Sequence, residues 1–149
     1  MDKRQELISQ MIDLSNEIEW FNRPILEERL KEYPLSEIEL IEKIGTIPNA
    51  NVTKLASASY MTRGAISKLT KKLLSKDLIE SYQIEDNKKE IYFRLTSKGE
   101  KIRKVHSDLH MTFLQRDKIV FEGMTNEEFD TIFRFIGKYR EHIKRITEK

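Results

Sequence analysis

Residues 62–76 carry Arg63, Lys68, Lys71, Lys72 and Lys76 without one acidic side chain, while Ala65, Ile66, Leu69, Leu73 and Leu74 recur among them at helical spacing. That pattern describes a helix whose apolar stripe is held against a core and whose outer face concentrates positive charge. The distribution of charge along the 149 residues sharpens the point. Residues 1–51 hold 6 basic and 11 acidic side chains, residues 52–94 hold 9 and 5, and residues 95–149 hold 12 and 9. The net charge of +2 therefore hides a basic middle third, and the local balance bears on partners more than the total does.

The flanking segments frame this helix. Leu7, Met11, Leu14, Ile18, Phe21 and Ile25 alternate by fours and threes, predicting a long amphipathic helix that Pro24 should kink or end near Arg23. Ser36 and Glu39 read as a capping box for a helix burying Ile38, Leu40, Ile41 and Ile44, with Gly45 as its stop. Asn51 caps a short helix, and another starts at Thr62. Residues 78–84 and 90–95 are strand-like, with Ile91, Phe93 and Leu95 on one face, Tyr92 and Arg94 on the other, and residues 85–89 as a polar hairpin tip. Ser97 with Glu100 forms a second capping box ahead of the stripe Ile102, Val105, Leu109 and Phe113. After Gly123, Thr125 with Glu128 forms a third, followed by Phe129, Ile132, Ile136, Tyr139, Ile143 and Ile146. The expected fold is mainly α with a small β-hairpin wing (α+β): an N-terminal helix in residues 1–35, a winged helix-turn-helix in 36–96 and C-terminal helices in 97–149.

Helix, short turn, helix and hairpin in this order suit a duplex, because the second helix of such a motif enters the major groove with polar residues outward. Thr62, Arg63, Gly64, Ser67, Lys68, Lys71 and Lys72 are the candidate contacts. Arg63 and Ser67 sit at the entering end, where bases are read, and Lys71 and Lys72 are placed for phosphates. Ala56 is small enough for two helices to cross closely. Lys88 and Lys89 at the hairpin could reach the minor groove or backbone, or be a plain solvated turn.

At residues 51–56 (Asn-Val-Thr-Lys-Leu-Ala), 61–69 (Met-Thr-Arg-Gly-Ala-Ile-Ser-Lys-Leu), Leu78-Ile79 and 94–99 (Arg-Leu-Thr-Ser-Lys-Gly) the chain resembles the MarR family of regulators, and the resemblance runs over essentially its whole length. It implies a homodimer with intertwined terminal helices, binding double-stranded DNA and released by a small, often aromatic, ligand or by an oxidant. Two positions depart from the family pattern. Tyr60 stands in the turn where glycine is usual, which costs about 1 kcal/mol if the backbone there is left-handed. Asn87-Lys88-Lys89 replaces Asp-x-Arg in the wing, and lysine lacks the planar fork of arginine.

A unit of the size of residues 52–96 has no need of two long amphipathic helices for its own core, so Leu7, Met11, Leu14, Ile18, Ile132, Ile136, Tyr139 and Ile143 are expected to pair between chains as a dimer. Two recognition helices would then lie about 34 Å apart on a pseudo-palindromic operator, with repression the expected outcome. Trp20, Phe21, Tyr33 and Phe113 either line an effector pocket or serve as ordinary core. His106 and His110 are spaced i, i+4, but two imidazoles without a carboxylate do not make a metal site, so no metal and no cofactor are expected. With no cysteine there is no thiol chemistry, and no phosphate-binding glycine loop, zinc-protease motif or nucleophile elbow marks an enzyme. The N-terminus lacks a signal-like apolar run and no window reaches the roughly 18 apolar residues of a membrane span, so the expected location is the cytoplasm. The rival reading is a winged-helix protein-interaction module without DNA binding, which the lysine-rich helix argues against.

Overall fold

The computed structural model describes residues 2–148. Its elements are α1 (Lys3–Arg29), α2 (Leu35–Thr46), α3 (Val52–Ser59), α4 (Arg63–Ser75), β1 (Ile79–Ile84), β2 (Asn87–Leu95), α5 (Ser97–Arg116), a 3₁₀ turn (Asp117–Phe121) and α6 (Asn126–Thr147). The chain divides into two compact units after Phe113.

In the first unit, α1 opens on a capping box between Asp2 and Gln5. The helix continues through Pro24 to Arg29 rather than breaking near Arg23. Proline there removes one backbone donor, but the turn around it keeps an Arg23–Glu19 ion pair, and Leu26 and Leu30 fasten the segment beyond it to the core. α2 begins one residue before Ser36, with Pro34 as its cap and no side-chain capping bond. The Pro34 carbonyl accepts from Glu37 and Ile38 instead, which places Ser36 inside the helix. Gly45 does not stop α2, which runs on to Thr46. A Cβ at Gly45 would lie 2.7 Å from the Arg103 side chain, so glycine here leaves room for Arg103 to meet Glu42 at 3.4 Å.

The core gathers Ile38, Leu40, Ile41 and Ile44 of α2, Leu55 and Ala56 of α3, Ile66 and Leu73 of α4, then Leu78, Ile79 and Phe93. On α4 the inward positions are Ile66, Thr70 and Leu73, with Ala65 and Leu69 half-buried, while Leu74 faces outward. Steps of four and three from Ile66 reach Thr70 and Leu73, and one further residue rotates Leu74 off the stripe. Thr70 is tolerated inside because its hydroxyl donates to the Ser67 carbonyl at 3.0 Å.

β1 and β2 pair antiparallel, from Ile79 opposite Leu95 to Ile84 opposite Asn87, so the turn is only Glu85-Asp86 and Lys88 and Lys89 belong to β2. The expected alternation holds for Phe93 but not for Ile91, which is exposed, or Tyr92, which is buried. Phe93 is also tied to Ala50 through its backbone N–H, at 2.8 Å, while Ile91 lies farther out on the hairpin. Tyr92 packs on Tyr82, whose hydroxyl donates to Asn49 Oδ1 at 2.9 Å.

α5 is capped by Thr96, not by the Ser97–Glu100 box: the Gly99 amide donates to Thr96 Oγ1 at 3.2 Å. Thr96 is fixed there because its amide and hydroxyl donate to the Leu78 and Asp77 carbonyls. Gly99 allows this closeness, since a Cβ would lie 2.1 Å from the Leu78 carbonyl oxygen.

In the second unit Gly123 adopts φ +82°, and Thr125 and Glu128 form the expected capping box for α6. Phe121, Phe129 and Phe133 stack in sequence, and no residue of α6 is buried.

Candidate nucleic-acid interface

The entering end of α4 is built by a left-handed turn and a cap. The α3 helix closes with a bond from the Met61 amide to the Ala56 carbonyl, which requires Tyr60 to take φ 55° and ψ 42°. Thr62 then caps α4 by accepting from the Ala65 amide at 3.1 Å. Beyond it Arg63, Gly64, Lys68, Lys71 and Lys72 are exposed and Ser67 is half-buried. An added Cβ at Gly64 would meet nothing within 4 Å, so the first turn of α4 presents open backbone. With its inner face sealed by Ile66, Thr70 and Leu73, the helix can bring its outer face to a duplex without reorganising.

Lys76 leaves this face. Its ammonium donates to both carboxylate oxygens of buried Glu37 and lies 5.7 Å from the centre of the Tyr33 ring. From sequence alone Lys76 belongs to the positive surface, because nothing local announces a partner 39 residues away.

Lys88 and Lys89 are exposed on β2, where the Lys88 carbonyl accepts from Gln83. Glu85, Asp86 and Glu90 flank them in sequence, so the end of the hairpin has more carboxylates than ammonium groups. Arg94 is held by Glu80 at 2.6 Å and over the Tyr82 ring at 4.8 Å.

Leu7, Met11, Leu14 and Ile18 of α1 are 39–58% exposed, and Ile132, Ile136, Tyr139 and Ile143 of α6 are 41–47% exposed. Trp20 and Phe21 are also exposed, Tyr33 is half-buried beneath Lys76, and Phe113 is buried in the core beside His110. Trp20 lines an open cleft of about 370 Å³ with Asn16, Glu19, Arg23, Pro24 and Glu27.

The two α5 histidines have a carboxylate neighbour that the spacing alone did not reveal. His106 is buried, its Nε2 lies 3.0 Å from His110 Nε2, and its Nδ1 lies 3.9 Å from Glu42 Oε2. Glu42 therefore sits on the opposite side of the His106 ring from His110, and the three do not converge on one point. Among the described residues no group of three His, Cys, Asp or Glu is placed to hold a metal ion. Burial, aided by the charge of His110, holds the His106 imidazole below its ordinary pKa against the opposing pull of Glu42 and Glu39. Nor, among the described residues, is any helix long and apolar enough to cross a membrane.

Comparison with known proteins places this arrangement. The sequence profile of the MarR family matches residues 34–91, from the cap of α2 into β2. The HTH-type transcriptional regulator PchR of Bacillus subtilis is 30% identical over 125 residues, covering 80% of this chain and 72% of PchR. The regulator YhjH of the same organism is 29% identical over 133 residues, covering 83% and 76%. Among solved structures, Streptococcus pneumoniae FabT in complex with DNA superposes with a TM-score of 0.79 at 19% identity, covering 97% of this chain and 99% of FabT. Staphylococcus aureus MarR in complex with salicylate and kanamycin gives 0.76 at 16% identity, covering 95% and 93%. With a winged helix-turn-helix core, an outward basic α4 and these relatives, the chain belongs to the MarR family of DNA-binding transcriptional regulators.

Proposed function

We propose that the protein is a homodimeric repressor that holds a pseudo-palindromic operator through α4 and the hairpin and lets go when a small aromatic ligand binds. The observation that carries this reading is α4 itself: a sealed inner face, a capped N-terminus, and Arg63, Gly64, Ser67, Lys68, Lys71 and Lys72 on the other side. Arg63 and Ser67 read bases from the entering end, and Lys71 and Lys72 neutralise phosphates. Lys88 and Lys89 add a weaker contact, since the carboxylates beside them oppose the DNA charge.

The apolar stripes of α1 and α6, open to water in a single chain, support pairing with a second copy. The functional division would then be dimerising helices in residues 1–35 and 97–149 around a DNA-binding unit in 36–96. The complex of Staphylococcus aureus MarR with salicylate supports a ligand response, for which Trp20, Phe21, Tyr33 and Phe113 are the candidate contacts. The reading contains no catalytic step and places the protein with DNA in the cytoplasm. Titrating a labelled duplex with the full-length protein at several salt concentrations tests it. Affinity that falls steeply with salt is expected, and no salt-sensitive binding to any duplex would reject it.

A further inference from the structure

Among the described residues three non-glycines hold a left-handed backbone: Asn49 at φ 51°, Tyr60 at φ 55° and Asp77 at φ 59°. Asn and Asp enter that region more readily than other non-glycine residues, and the Asn49 side chain is further held by accepting from Tyr82, 33 residues away. An aromatic residue has no such compensation. Tyr60 is nonetheless kept where glycine would close the same α3 bond without steric cost. Its side chain does not repay the strain within the fold, because it is 90% exposed. Single exposed aromatics are ordinary, and so are occasional left-handed residues. Both at one position, two residues before the Thr62 cap and three before Arg63, point to a demand from outside the chain.

We infer that Tyr60 is a DNA-backbone contact: with α4 in the major groove, its hydroxyl donates to a phosphate oxygen beside the half-site and its ring lies against the adjoining deoxyribose. This rests on the reading that α4 is the groove-entering helix. The left-handed turn throws the side chain outward at the mouth of α4, where a duplex backbone must pass. A phosphodiester strand offers what the side chain carries, an acceptor for its O–H and an apolar sugar edge for its ring. The contact carries no sequence information and no charge, so it fixes the depth and tilt of α4 without adding to counterion release.

The test compares full-length Tyr60→Gly, Tyr60→Phe and Arg63→Ala, each measured for thermal midpoint and for binding to a duplex that the unaltered protein recovers from a random-sequence pool. Tyr60→Gly is expected to raise the midpoint by about 2–4 °C and weaken binding about fivefold or more. Tyr60→Phe is expected to leave the midpoint in place and weaken binding about fivefold, at an unchanged salt slope. Tyr60 variants that bind as tightly as the parent while Arg63→Ala binds weakly would overturn the Tyr60 contact alone. If Arg63→Ala is also unaffected, the placement of α4 in the groove fails with it. A lowered midpoint in Tyr60→Gly would make Tyr60 a structural residue and would likewise overturn the inference.

Discussion

Lys76 Nζ donates at 2.7 and 3.0 Å to the two carboxylate oxygens of Glu37, joining the C-terminal cap of α4 to the first turn of α2. Glu37 is 1% exposed, so its charge is tolerable only because the ammonium and the N-terminus of α2 face it. The pair fixes the C-terminal end of α4 and leaves its N-terminal end, the proposed DNA-entering end, unengaged by it. Lys76→Met is expected to cost about 2 kcal/mol by leaving a buried carboxylate alone, and adding Glu37→Leu should return most of it. Urea denaturation of the two variants decides this, and an unchanged midpoint in Lys76→Met contradicts it.

Two glycines predict opposite responses to the same substitution. A Cβ at Gly99 would lie 2.1 Å from the Leu78 carbonyl oxygen, so Gly99→Ala must push α5 away from the backbone leading into β1 and is expected to cost about 2 kcal/mol or more. Gly64 is helical with open space around it, so Gly64→Ala should raise stability by about 0.5–1 kcal/mol. If a duplex backs onto that turn, the same methyl group weakens DNA binding. Thermal melts of the two variants that move in the same direction would refute the contrast.

Local chemistry made much of this fold legible in advance. Asn51, Thr62 and the Thr125–Glu128 box cap the helices they announce, because capping depends on residues within one turn. The misreadings share a cause in longer-range structure. Thr96, not Ser97, caps α5 because the backbone at Asp77 and Leu78 holds it; Lys76 turns inward because Glu37 waits there; α1 survives Pro24 because Leu30 is buried on distant residues. Of the proposed interface, the α4 face was readable from helical spacing. The Glu42 neighbour of His106 was not, since it is 64 residues away in sequence.

The buried His106 predicts a pH dependence. Its folded-state pKa lies below the ordinary value of 6.5, chiefly through burial and then through the charge of His110. The unfolded chain therefore binds a proton that the folded chain resists. His106 contributes stability that is fully present above about pH 6.5 and is lost as pH falls toward its folded pKa. His106→Gln should flatten the stability profile across that window, as read by denaturation at a series of pH values. A parent and variant with parallel profiles would exclude His106 as the source.

The exposed stripes of α1 and α6 predict the assembly. The full-length protein is expected to sediment as a dimer, and truncation after Gly137, which removes Tyr139 and Ile143, should give monomers or aggregates. Ile136→Glu tests the same face without shortening the chain, since a carboxylate buried between two copies opposes association. Sedimentation velocity at micromolar concentration reads both, and a soluble full-length monomer defeats the expectation.

Arg63 and Lys71 lie eight residues apart on α4, both exposed, and their chemistry predicts different work for them. Arg63, in the first turn, offers a planar fork that can bond two acceptors on one guanine edge. Lys71, two turns further along, offers a point charge that meets any phosphate equally well. Arg63→Ala should therefore lose about 1–3 kcal/mol on a preferred duplex and little on an unrelated one, narrowing the ratio between them. Lys71→Ala should weaken binding to both duplexes alike and reduce the dependence of log affinity on log salt by about one unit. Anisotropy titrations of the two variants on both duplexes, repeated across salt, separate these effects. Matching, salt-independent losses from both would mean that neither residue has the role its position on α4 gives it.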